Sequence, residues 1–218
     1  MSATAPRTAG DAFGRDFLGL LAAVTWFAVL LQLWLSLRVA LANGQSAGQG
    51  LVAYLGYFTV LTNIFVATVS SGGLIAPRSI LWSASVRGCA TTSMVFVGLS
   101  YHFLLSAIWN PHGWQWVADL SLHYVVPLGA LAYWVCYPPA KPLSLLSPVT
   151  WCIYPCAYFV YTVVRGEWIA TYPYFFIDVG KLGYPRTLTN AIGLLVCFIA
   201  LGFVVRHISR YRRGGGPG

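Results

Sequence analysis

Residues 17–37 pass through leucine, valine, alanine, phenylalanine and tryptophan without one charged side chain. A helix needs about 20 such residues to cross the hydrocarbon of a bilayer, and a helix of a soluble domain keeps a polar face over that length. The pattern recurs along the chain. Apolar runs over 17–39, 51–69, 88–108, 116–137, 148–164 and 188–205 predict six transmembrane helices. Only 8% of residues are charged, against roughly 25% in a soluble domain, which excludes a water-soluble enzyme built from the same chain. The expected fold class is therefore all-α and polytopic. A transmembrane domain over 17–205 is flanked by flexible tails at 1–16 and 206–218. The first run exceeds the about 7–15 apolar residues of a cleavable signal core, so Ala40-Leu41-Ala42 is read as a helix end rather than a cleavage site.

Local signals set the expected boundaries. Ser70-Ser71-Gly72-Gly73 is expected to end the second span, Pro138-Pro139 the fourth, and Pro155 to kink the fifth. The segment 165–187 is rich in aromatic residues but broken by Pro173, Gly180, Gly183 and Pro185, so it is expected to lie along the membrane interface as a cap. The net charge of +8 does not call for nucleic acid, because four of the basic residues follow the last span, where they mark the cytoplasmic side. With six spans, nine basic residues fall on the side of the termini and four on the other. Both termini are thus expected in the cytoplasm, in a bacterial inner membrane. The five cysteines lie in or beside spans and read as buried thiols, and no ligand spacing supports a metal or other cofactor.

Polar residues inside such spans are expensive and by default functional. Residues 119–127, DLSLHYVVP, place Asp119 and His123 one helical turn apart on one face. Residues 57–63, YFTVLTN, line up Thr59, Thr62 and Asn63 on one stripe, and the third span carries Tyr101, His102 and Ser106 near its end. At 1.5 Å per residue, Thr59 lies about 12 Å from the outer end of its span, and His102 and His123 about 10 Å from theirs. Three helices then present polar groups at one level. An outer-leaflet pocket is expected there, with Asp119, Tyr101, Tyr172, Asp178 and Asn190 at its rim.

A carboxylate that fixes one tautomer of an imidazole leaves the other nitrogen as a general base, and a threonine hydroxyl is the group such a base activates. Asn63 is placed to donate to an oxyanion. Each group also has a plainer use. An i,i+4 pair satisfies itself, a threonine in a span hydrogen-bonds its own backbone, and Asn63 and His102 join helices. A proton-coupled carrier or a reversible binder of lipids or small molecules would use the same groups.

On the blocks YFTVLTN, DLSLHYVVP and WIATYPYFFID the chain resembles the androgen-induced-gene family of membrane threonine hydrolases, which cleave fatty-acid esters of hydroxy fatty acids, and their six-span bacterial relatives. The resemblance implies a fatty-acyl ester substrate, Thr59 as nucleophile with Thr62 as the alternative, and His123 as base. Asn63 stands four residues after Thr59 where the family has its polar residue three after, and Asp119 stands where the family often has asparagine.

Overall fold

The computed structural model describes the backbone of residues 9–214 and the side chains of 12–212. Helices α1 (Ala9–Ala42), α2 (Ala47–Leu55), α3 (Phe58–Ile75) and α4 (Ala84–Ser100) come first, followed by α5 (Trp114–Leu120), α6 (Val126–Cys136), the single turn α7 (Ser147–Thr150), α8 (Ile153–Ile169) and α9 (Val179–Gly214). No strand occurs among the described residues. Four helical stretches, Ala12–Ala42, Phe58–Ile75, Ala84–Leu105 and Val179–Arg212, are long and apolar enough to cross a membrane. Large apolar side chains such as Phe27, Leu30 and Trp34 stay exposed on α1, as they do on a helix solvated by lipid. This is a helical membrane protein.

α4 is the central helix and packs against α3, α6 and α9, while α1 lies along α3. Its buried small residues, among them Gly88, Ala90, Thr92 and Ser93, let neighbouring helices approach closely. Long donors clamp the end of the bundle where α6 finishes and α4 begins. Trp134 Nε1 donates to the Val205 carbonyl at 2.9 Å, and Arg87 Nη2 donates to that of Tyr137 at 2.6 Å.

Several boundaries depart from the sequence expectation. The tails are shorter than predicted: α1 begins at Ala9, with Arg15 Nη2 bonded to the Leu74 carbonyl, and α9 continues through the basic residues to Gly214. Residues 1–8 and 215–218 of the expected tails lie outside the described part. The Ser-Ser-Gly-Gly stretch does not end α3, which runs on to Ile75. Gly73 is needed there for packing, since a Cβ on it would stand 2.5 Å from the Trp82 ring. Pro155 sits in the first turn of α8, where its missing N–H has no helical partner to lose, and the expected fifth span is interrupted just before it, between the end of α7 at Thr150 and the start of α8 at Ile153. The cap is narrower than 165–187: α8 extends to Ile169, and α9 begins at Val179 and breaks at Gly183, whose φ of 72° suits glycine.

The predicted second span is two helices. α2 stops at Leu55, Tyr57 is extended, and α3 starts at Phe58. α8 imposes the break. Tyr158 Oη donates to the Gly56 carbonyl at 2.9 Å, Tyr161 Oη to that of Leu55 at 3.4 Å, and Arg165 Nη2 to that of Val52 at 3.2 Å. Three donors from one helix thus satisfy carbonyls that the end of another leaves open, and a buried guanidinium beside a helix C-terminus also suits the helix dipole.

Candidate functional site

Two π-helical turns organise the site. Residues Tyr101–Leu105 extend α4, and Ser121–Val125 join α5 to α6. In the first, Ser106 Oγ takes the His102 carbonyl at 2.7 Å while Ser106 N reaches back to Tyr101 O at 2.9 Å. In the second, Pro127 has no N–H to offer the carbonyl of His123 four residues back, and the widened turn accommodates it. Gly98 lets α4 sit against this turn, since a Cβ there would lie 3.2 Å from the His123 carbonyl oxygen.

The widened turns bring Tyr101 and His123 face to face, ring centroids 3.8 Å apart and 11° from parallel. Buried Asp119 joins both. Its Oδ2 accepts from Tyr101 Oη at 2.5 Å, and its Oδ1 lies 3.2 Å from His123 Nδ1. The Asp119 carbonyl also lies 3.0 Å from Nδ1, so two acceptors hold a proton on that nitrogen and leave Nε2 for other partners. Sequence reasoning paired Asp119 with His123 but put Tyr101 only at the rim. The structure makes it the centre of the group.

Thr59 sits in the first turn of α3, so counting rises from the outer end of one continuous span does not give its depth. Its hydroxyl is 3.5 Å from Tyr174 Oη, which also accepts from the Thr59 amide at 3.4 Å. Tyr174 is the residue that sequence reasoning missed. It belongs to the segment between α8 and α9, where Tyr172 and Asp178 were chosen instead, and the run Tyr172-Pro173-Tyr174 offers no signal to prefer one tyrosine. Burial pushes the Tyr174 phenol up to about 12, which keeps it a neutral donor.

The remaining expected residues divide. Thr62 is fully buried and bonds Tyr154 Oη at 3.1 Å. Asn63 Nδ2 donates to Thr59 O at 2.8 Å and Leu122 O at 3.3 Å, so both its protons go to backbone and none is left for an oxyanion; it ties the Thr59 turn to the turn of His123. His102 does not join them: it is exposed and pairs with Tyr124 at 3.2 Å. Tyr172 donates to Glu167 at 3.2 Å, Asp178 pairs with Lys181 at 3.2 Å, and Asn190 holds the Phe176 carbonyl at 2.8 Å. These three contacts fasten the covering segment.

A cavity of about 300 Å³ connects the two halves. α3, α4, α8, α9 and the segment carrying Tyr174 enclose it, and both Thr59 and Tyr101 line it. Thr62 and His123 are not among its lining residues, and no hydrogen bond joins His123 to either threonine among the described residues. No three metal-ligating side chains converge among the described residues.

No family model, curated protein or solved structure matches the chain. A functional reading therefore rests on this geometry and on the three sequence blocks.

Proposed function

We propose that the protein is an intramembrane hydrolase of lipid esters, related to the androgen-induced-gene family, which crosses a bacterial cytoplasmic membrane six times with both termini inside. The observation that carries this reading is the placement of Thr59. A buried hydroxyl on the wall of a largely apolar cavity has a neutral phenol donor beside it, and that cavity shares Tyr101 with a tautomer-fixed histidine.

In the proposed reaction Thr59 Oγ1 attacks the ester carbonyl, and its proton is relayed by water to His123 Nε2. Asp119 and Tyr101 orient the imidazole. Tyr174 Oη donates to the developing oxyanion, the part first expected of Asn63. The alcohol leaves with the proton from His123, and water activated by the same nitrogen releases the acid from Thr59. A fluorophosphonate is expected to label Thr59 in the purified protein. Thr59→Ala is expected to lose both label and esterase activity, and His123→Ala about 10²- to 10⁴-fold in rate. Full activity in either variant sinks the reading.

One observation favours a reversible lipid binder using the same cavity: the side chain that partners the Thr59 hydroxyl is a phenol rather than a base. A binder takes up lipid but is never labelled covalently.

A further inference from the structure

The cavity wall has a polarity gradient that specifies its ligand. Two lips are exposed, Cys156 and Val160 one turn apart on α8, and Leu188 and Ile192 one turn apart on α9. Val160 and Ile192 are 61% and 62% exposed, and both lie on helix faces that meet lipid in a membrane. At the back, Thr59 and Tyr174 are 8% and 9% exposed. The cleft is thus apolar at its mouth and carries the Thr59 and Tyr174 hydroxyls on a mostly apolar inner wall that includes Phe58, Ile177 and Phe198, opposite to a site filled from water. It follows α9 from Leu188 to Phe198, about 15 Å at 1.5 Å per residue.

The polar groups along this wall are all neutral. Among the described lining residues the hydroxyls of Thr59, Ser100, Tyr101, Tyr158 and Tyr174 occur, and no Asp, Glu, Lys, Arg or His. Arg165, buried near the α2–α3 break, is spent on the carbonyls of Val52 and Thr171 and does not line the cavity. A carboxylate or phosphate placed here would lose its hydration and meet no cation, which is prohibitive in such surroundings. A carbonyl flanked by hydrocarbon needs only one or two donors, and the Tyr174 phenol is one.

We infer that the cleft between α8 and α9 admits its ligand sideways from the bilayer and holds an uncharged acyl ester, the chain along α9 and the carbonyl at Thr59 and Tyr174. This deepens the hydrolase reading and rests on it for the ester at the polar end. Free fatty acids and phospholipid headgroups are excluded from the cleft on the same grounds.

The test uses the full chain in nanodiscs and two photoreactive probes, a diazirine-bearing acyl methyl ester and the corresponding free acid. The ester is expected to crosslink to 153–169 and 184–198, in competition with excess unlabelled methyl ester, and the acid to crosslink there about tenfold less or weaker still. Ala191→Trp, which fills the cleft, is expected to abolish the crosslink. Equal labelling by ester and acid overturns the inference, as does unsaturable labelling spread equally onto the lipid face of α1. The competition arm needs no variant, so a misfolded Ala191→Trp protein leaves the outcome decided. Crosslinks in the cleft without Thr59-dependent hydrolysis overturn the hydrolase reading and leave the binding site. Thr59-dependent hydrolysis with crosslinks elsewhere does the reverse.

Discussion

Tyr101 is the residue through which the two halves of the site touch. Its ring lines the cavity and stacks on His123, and its hydroxyl supplies Asp119 with a 2.5 Å hydrogen bond. Tyr101→Phe keeps the stack and removes only that donor. The buried carboxylate then lacks one partner, a loss of about 1–3 kcal/mol. The thermal midpoint of the purified variant is expected to fall. If Asp119 orients a working base, the esterase rate per folded molecule falls as well, because the carboxylate is released to rotate away from Nδ1. A lower midpoint with an unchanged rate per folded molecule assigns the trio to structure alone. The distinction matters because an i,i+4 acid and histidine satisfy each other in any helix, and only the third partner, contributed by another helix, shows that the pair faces something.

At the scale of elements, the helical runs were legible in hydropathy and the joints between them were not. Residues 51–69 stay apolar through Gly56 and Tyr57, so nothing local marks a helix end. The break depends on donors more than a hundred residues later, Tyr158, Tyr161 and Arg165 on α8. The same non-local cause hid Tyr174, which reaches Thr59 only because this break puts the first turn of α3 beside the covering segment. By contrast Asp119, His123 and Thr59 stood out in the sequence, since a hydrophobic background makes any polar residue conspicuous, while His102, grouped with them by depth, is exposed and pairs with Tyr124. If the break is capped as described, Arg165→Leu leaves the Val52 and Thr171 carbonyls without their charged donor. Hydrogen bonds to charged groups contribute about 1.5–3 kcal/mol each. The expected result is a lower thermal midpoint together with faster proteolysis near Gly56. Cleavage unchanged at that site would show that the α2–α3 joint stands without the cap.

The whole molecule poses a choice between four crossings and six. α1, α3, α4 together with its π-helical turn to Leu105, and α9 are long and apolar enough to span, whereas α8 has 17 residues and the fourth predicted span, α5 and α6 joined by a π-helical turn, is not among those stretches. Both counts leave the termini on one side, so locating the C-terminus does not separate them. The segment between α6 and α7 does, because after α4 it returns to the side of the termini only if α5 and α6 cross together. Two contacts support the return. Arg206, close to the end of α9, donates to the carbonyls of Leu143 at 3.3 Å and Ser144 at 2.8 Å, and Arg212 donates to that of Val135 at 3.1 Å. The positive-inside bias points the same way, since Lys141 then joins the basic residues of the tail. A cysteine placed at Lys141 in a cysteine-free background is therefore expected to resist a membrane-impermeant maleimide in intact cells and to react after lysis, while one at His112 reacts in both. Labelling of both positions in intact cells would establish four crossings. It would also put α5, α6 and α8 outside the hydrocarbon, which removes the lipid from the mouth of the cleft and with it the route by which an ester would reach Thr59.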